Sequence, residues 1–214
     1  MERNITVTLE KAKEWYNSGD ATLQEIALQA FSRDEIIYPF TEIKSISTAC
    51  IALGLDYRAI LAEVESIQKI SKASAAMFKL NIIRKALNLG QDLHLTKDPE
   101  DSHIHYPYNP LVMENSAYYK SELNSGKMEV IGKIKSEGTL YNVLGGCAGC
   151  CSGTGFSCFR HYGSVGFADA VVGVFGCANE EIAQHFSIYF GMLITEAKYG
   201  DMVDFEIVEE KYKI

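Results

Sequence analysis

The sequence lacks any long hydrophobic run. None of the apolar stretches in its 214 residues reaches the roughly 18 residues that a membrane-spanning helix requires. The first residues, Met1 to Asn4, also lack the basic stretch followed by an apolar one that is typical of a secretory leader. We therefore expect a cytoplasmic protein that does not use a membrane as its partner.

An excess of basic residues is also missing. The chain has 20 Lys and Arg against 28 Asp and Glu, which gives a net charge of −8. The first 90 residues are balanced, so residues 91–214 supply the whole imbalance. Because phosphate backbones are bound by clustered Lys and Arg, we expect no nucleic-acid partner.

The composition is that of a folded chain. Hydrophobic residues make up 47% and charged residues 22%, so a substantial core is expected. In a cytoplasm, cysteines are expected as thiols or metal ligands rather than as disulfides. The cysteines are Cys50, Cys147, Cys150, Cys151, Cys158 and Cys177.

Helical patterns fill the first 90 residues. Capping residues stand before apolar residues at helical spacing, for example at Thr8 and Asp56, and a break is expected near Ser71. Thr22 and Glu25 form a capping-box pattern at the start of another helix. The apolar residues of that helix recur at helical spacing, which predicts that one face is buried. They are Leu23, Ile26, Ala27, Ala30 and Phe31.

Strand patterns begin in the second half of the chain. Residues 128–135 and 139–144 flank a turn that contains glycine, which predicts a hairpin. Residues 170–175 are predicted to form a buried strand and residues 202–208 a final strand. Between them, Asn179 is placed to cap a strong helix.

These patterns predict an α+β protein: a helical N-terminal region followed by a mainly antiparallel sheet with a packed C-terminal helix. The helical region covers residues 1–90 and the glycine-rich sheet-plus-helix region covers residues 127–214. Residues 91–126 hold three of the four prolines and are predicted to form a long connecting segment without regular structure.

Several stretches resemble modules of uncharacterised proteins encoded by phages and prophages of gut anaerobes. They are residues 8–31, residues 43–55 with 78–90, residues 105–112 and residues 172–194. That family has no assigned activity, so the resemblance implies an origin in a phage or mobile element and no reaction. The cysteine-glycine stretch at 145–155 and the final strand at 202–208 depart from the family pattern.

The most distinctive local feature is a pair of cysteines two residues apart, Cys147 and Cys150, within a run of glycines. Zinc sites favour this spacing, and Cys158 and His161 are the candidates for the remaining ligands. The alternative is a tight turn in which small cysteines pack as hydrophobic residues. A nucleophilic cysteine at 147, 150 or 151 is a third interpretation, and it would need a histidine base nearby.

Other motifs are weaker. The glycine run lacks the Lys followed by Ser or Thr that a phosphate-binding loop requires. The helix pair around Gly54 is typical of core scaffolding, because Arg58 is the one basic residue where a DNA-reading helix would begin. His94, His103 and His105 lie among carboxylates, a combination that metal sites use, but a solvated polar loop is the favoured interpretation. The carboxylates are Asp92, Asp98, Glu100 and Asp101.

Taken together, these features predict a non-enzymatic accessory or protein-interaction protein of a phage or mobile element. Its partner would be an unidentified protein, and a homo-oligomer is compatible with the sequence. No cofactor is expected on the first interpretation, and zinc is expected on the second, in which the metal stabilises the domain.

Overall fold

A computed structural model describes residues 7–18, 20–89, 103–113, 123–124, 126, 128–152, 164–165 and 175–212. The helices are α1 (Leu9–Asn17), α2 (Ala21–Ala30), α3 (Arg33–Ile36), α4 (Ile46–Leu53), α5 (Tyr57–Gln68), α6 (Lys72–Leu87) and α7 (Glu180–Tyr199), with a 3-10 turn at Phe40–Glu42. The strands are β1 (His103–Met113), β2 (Glu129–Ser136), β3 (Thr139–Gly145), β4 (Cys147–Ser152), β5 (Ser164–Val165) and β6 (Glu206–Glu210).

The helix starts follow from short polar side chains that accept backbone N–H groups. Thr8, Asp56 and Asn179 each cap a helix as predicted, and Ser71 caps α6 at the expected break. The predicted capping box at residue 22 is wrong, because the cap of α2 is Asp20, whose carboxylate accepts the N–H groups of residues 22 and 23.

The helical and sheet regions meet at α7, which packs against a different hydrophobic cluster on each side. On one side α7 packs with α4 and α6, and the fully buried side chains there include Leu80, Ile83, Phe186 and Phe190. On its other side α7 packs on the sheet, where Met192 meets Ile131 and other strand residues. The predicted α+β class, with helices first and a C-terminal helix packed on an antiparallel sheet, is confirmed.

The sheet is a set of antiparallel pairs in which β6 pairs with β2, β2 with β3, and β3 with β1. The hairpin between β2 and β3 is confirmed, and its turn uses Glu137 and Gly138 at positive φ values of 49° and 77°. Strand β1 lies within residues 91–126, where the sequence predicted a connection without regular structure, so that prediction is wrong for residues 103–113.

Strands β3 and β4 run along the same edge of β1. Leu111 pairs with Val143 in β3, and Tyr108 pairs with Cys147 in β4. From Gly145 to Cys147 the chain can span only about 7 Å, whereas opposite edges of one strand require about 10 Å. The two strands are therefore one bent strand with an extra residue at Gly146, a β-bulge whose glycine adopts a φ of 99°.

Candidate functional site

The predicted zinc ligands are only partly within the described residues. Cys147 and Cys150 lie on β4, where the backbone is extended rather than folded into the tight turn expected there. Cys158 and His161 lie outside the described residues. The part of the 170–175 strand prediction that covers residues 170–174 also lies outside them.

The register of the sheet places one histidine and two cysteines side by side along the backbone. His105 of β1 pairs with Cys150 of β4 on one edge and forms an isolated bridge with Cys177 on the other. The backbone N–H and C=O of His105 are both bonded to Cys177, at 3.1 Å and 2.7 Å. This juxtaposition could not be read from the sequence, because the three residues are separated by 27 to 72 positions.

The thiol of Cys177 is held in its neutral form. Its side chain is fully buried, and burial raises its pKa to about 12. Its Sγ lies 3.4 Å from the carbonyl oxygen of Phe175, to which it donates. The pKa of the buried Cys50 is also raised by burial. Both side chains therefore act as small hydrophobic residues at neutral pH rather than as nucleophiles.

His185 is likewise engaged in packing. Its ring lies 4.5 Å from the Tyr189 ring and 5.5 Å from the Phe40 ring, measured between centroids. Its Nε2 is 2.7 Å from the carbonyl oxygen of Ile43, which can only accept, so Nε2 carries a proton. Burial lowers the pKa of His185 and keeps the ring neutral at neutral pH.

Within the described ranges, no group of three or more His, Cys, Asp or Glu side chains is arranged to hold a metal ion.

A buried amide occupies the junction between β1, the β-bulge and α7. The Asn109 side chain is 1% exposed, and its Nδ2 donates to the carbonyl oxygens of Leu144 and Ser187, each at 2.9 Å. The Ser187 hydroxyl also lies 3.1 Å from this nitrogen and accepts the N–H of Gly146 at 3.2 Å. The junction thus satisfies the polar groups that the bulge exposes, which is a structural role.

Three large apolar side chains are exposed on two neighbouring segments, and we call them the apolar shoulder: Ile70, Met202 and Val203. Ile70 is 89% exposed and Val203 is 99% exposed, while Met202 is half exposed. Ile70 follows α5, and the other two residues lie in the connection from α7 to β6. A sequence pattern of apolar residues does not distinguish these side chains from core residues.

Asp201 joins the two segments of the apolar shoulder. Its carboxylate accepts the hydroxyl of Ser71 and, at 3.2 Å, the N–H of Ala73. These bonds hold the pKa of Asp201 below its usual value. The turn itself is closed by the N–H of Met202, which donates to the Tyr199 carbonyl at 2.9 Å. The apolar side chains are therefore presented by hydrogen-bonded turns.

No family model matches the chain, and neither the curated proteins nor the solved structures contain a match to it. Among the described helices, none combines the length and the apolar character needed to cross a membrane.

Proposed function

We propose that this protein is a non-enzymatic accessory protein that binds another protein through the apolar shoulder. The observation that carries the proposal is the exposure of Ile70 and Val203, at 89% and 99%, on segments that Asp201 ties together. Single exposed apolar residues are common on protein surfaces, but a group of them on adjoining segments is typical of an interaction site.

The surroundings of the apolar shoulder fit this role. Lys69 and Lys72 flank Ile70, and Asp204 follows Val203; all three are exposed. An apolar centre with a rim of both charges is the usual arrangement of a protein interface. Phosphate backbones, in contrast, are bound by clustered basic residues without carboxylates among them.

The hydrogen bonds of the shoulder favour binding for a second reason. A loop that is ordered before binding loses less conformational entropy when its partner arrives. Asp201 bonds to both the hydroxyl of residue 71 and the N–H of residue 73, so the two backbone segments that carry the shoulder are tied together before a partner binds.

The described reactive side chains support binding over catalysis. Cys50 and Cys177 are buried with raised pKa values, and His185 donates to a backbone carbonyl inside the core.

The sequence resemblance to phage and prophage proteins supports a mobile-element origin. The partner we propose is therefore a protein present in a cell that carries such an element.

A charge introduced into the shoulder tests the proposal. The double variant Ile70→Asp with Val203→Asp is compared with the wild-type protein and with Ile51→Asp, which charges another exposed apolar residue that lies on α4. Each protein is immobilised and exposed to lysate of a host carrying the element, and the proteins retained are identified by mass spectrometry. The partner is then purified and titrated against all three.

We expect one protein to bind the wild-type chain and Ile51→Asp with the same Kd. The double variant should bind at least about tenfold more weakly, because a buried unpaired carboxylate costs more than 1.4 kcal/mol. Equal binding by all three proteins, or capture of nothing by the wild-type chain, contradicts the proposal. Thermal unfolding of each variant confirms that the substitutions leave the fold intact.

A further inference from the structure

The start of β1 places two histidines beside a cysteine of β4. His103 and His105 are two positions apart on this strand, so they lie on the same face of the sheet, about 6–7 Å apart. Cys150 pairs with His105 in the antiparallel register, and residues directly opposite one another share a face. All three residues therefore lie on one face of the sheet, and the backbone register carries this placement.

His105 and Cys150 form the closer of the two kinds of antiparallel pair. The backbone N–H and C=O of His105 both bond to Cys177 on the other edge of β1, so neither bonds to β4. A pair without such bonds has a Cα separation of about 4.5 Å, against about 5.5 Å for a bonded pair. His103 is the diagonal neighbour of Cys150, at about 7–8 Å. Side chains at these separations can reach one ion.

Two imidazoles and a thiolate are a typical ligand set for a transition metal ion. Zn²⁺ is bound by histidine nitrogen at about 2.0–2.1 Å and by cysteine sulfur at about 2.3 Å, usually with four ligands in all. Mg²⁺ and Ca²⁺ prefer oxygen ligands instead. Of the three side chains, the structure describes that of His105, which is half-buried. The three residues therefore lie at the margin of the core, where an ion can enter.

We propose that His103, His105 and Cys150 bind one Zn²⁺ ion, with a water molecule as the fourth ligand. Cys177 is not a ligand in this arrangement, because it forms the wider, bonded pair with His105 and its thiol donates to the Phe175 carbonyl. The ion joins β1 to β4 and stabilises the folded chain, because the ligands come together only on folding. This proposal does not depend on the apolar shoulder.

The other two cysteines of β4 provide matched controls. Cys147 and Cys151 lie an odd number of residues from Cys150 on the same extended strand, so they are on the opposite face of the sheet. The spacing of Cys147 and Cys150 is typical of zinc sites, but an extended strand directs these two residues to different faces. The register therefore assigns the metal to Cys150 and excludes its two neighbours.

A zinc titration of the full chain tests the proposal. The protein is stripped of metal, kept reduced with a phosphine and titrated with Zn²⁺ in competition with a chromophoric chelator. We expect the wild-type chain to bind about one equivalent. Cys150→Ser, His103→Gln and His105→Gln should each weaken binding at least about 100-fold, because losing a ligand costs more than losing an outer hydrogen-bond partner. Cys147→Ser and Cys151→Ser should bind like the wild-type chain.

Co²⁺ provides a second readout, because a bound thiolate gives it a charge-transfer absorption in the near ultraviolet. This absorption should appear with the wild-type chain and Cys147→Ser and be absent with Cys150→Ser. Circular dichroism of the metal-free proteins separates a loss of binding from a loss of fold. A wild-type chain that binds no Zn²⁺ overturns the proposal. It is equally overturned if folded Cys150→Ser keeps the ion, or if folded Cys147→Ser loses it, which would favour the set with Cys158 and His161.

Discussion

The amide nitrogen of Asn109 donates to the carbonyl oxygen of Leu144 at 2.9 Å and replaces a ladder hydrogen bond that the backbone cannot make. Successive residues of a strand direct their N–H and C=O groups to alternate edges. His105 directs both groups to the edge of β1 where Cys177 lies. Pro110, five residues later, therefore directs its backbone groups to the opposite edge, which is the edge that pairs with β3. The register of that pair places Leu144 opposite Pro110. Proline has no N–H, and the Asn109 side chain supplies the missing donor.

Removing this amide should destabilise the whole fold. Asn109→Ala leaves the buried carbonyl of Leu144 without this donor, which costs about 1–3 kcal/mol, and the lost bond to the Ser187 carbonyl within α7 adds about 1 kcal/mol. We expect the free energy of unfolding to fall by about 2–4 kcal/mol, measured by urea denaturation. Asn81→Ala removes a local helix bond on α6 and serves as the control, with an expected loss of less than about 1 kcal/mol. Equal losses for the two variants would show that the junction contributes no more than an ordinary side-chain bond.

A methyl group at residue 191 should be costly even though alanine favours helices. An added Cβ on Gly191 would overlap the Asn109 amide and approach Ile131 Cδ1 to 2.5 Å. Overpacking of this kind costs about 1–3 kcal/mol, which exceeds the roughly 1 kcal/mol gained in helix propensity. We expect the unfolding midpoint of Gly191→Ala to drop.

Gly54→Ala is the control for Gly191→Ala. No atom lies within 4 Å of a Cβ added at Gly54, so the loss of stability there comes only from the positive φ of 66°. That cost is about 1–2 kcal/mol. A Gly191→Ala variant that is more stable than the wild-type chain would contradict the close approach of α7 to the sheet.

Stability should decline as the pH falls through the range of histidine. Burial holds the pKa of His185 below its usual 6.5, so in acid the unfolded chain binds a proton that the folded chain resists. Above about pH 6.5 His185 is neutral in both the folded and the unfolded chain, and its burial costs no protonation free energy. Below about pH 6.5 the unfolded chain takes up the proton first, so the free energy of unfolding falls. His185→Gln keeps an N–H donor for the Ile43 carbonyl but does not titrate.

We therefore expect the stability difference between the wild-type chain and His185→Gln to change in favour of the variant between about pH 8 and pH 5. Asp201 and Glu35, whose pKa values are lowered by hydrogen bonds to serine, titrate below this window and contribute only in stronger acid. A difference that is flat from about pH 8 to pH 5 would contradict a neutral, buried His185.

Cys177 should resist alkylation in the native protein. With a pKa of about 12, its thiol is almost entirely protonated at neutral pH, and its side chain is fully buried. We expect iodoacetamide to label Cys177 slowly in the folded chain and rapidly in urea, as measured by peptide mass spectrometry. Cys50, also buried, should behave in the same way. Rapid native labelling of Cys177 would mean that this part of the core opens readily.

Local signals in the sequence predicted the helix starts well. Thr8, Asp56, Ser71 and Asn179 act within three residues of themselves, so their patterns are complete in the printed sequence. The β2–β3 hairpin was accessible for the same reason, since its two-residue turn sets the pairing. Even here a competing cap was missed, because Asp20 lies two residues before the expected Thr22.

Strand β1 and the place of α7 between two hydrophobic clusters could not be predicted in this way. Pro107 and Pro110 weaken a strand pattern, and only the distant Leu144 carbonyl explains why residue 110 is tolerated. The buried face predicted for α2 is confirmed for Ala27 but wrong for Ile26 and Ala30, which are exposed, since exposure depends on which elements pack nearby. The apolar shoulder has no sequence signature, because Asp201 reaches a serine 130 residues away.

The position of α7 in the chain has a consequence for biosynthesis. Phe186 and Phe190 complete the packing of α4 and α6, which lie about 100 to 140 residues earlier in the chain. A ribosome that has translated only the N-terminal half therefore holds helices whose apolar sides have no cover. Native packing can form only after the residues of α7 have left the ribosome, and chaperones can bind the exposed apolar segments until then.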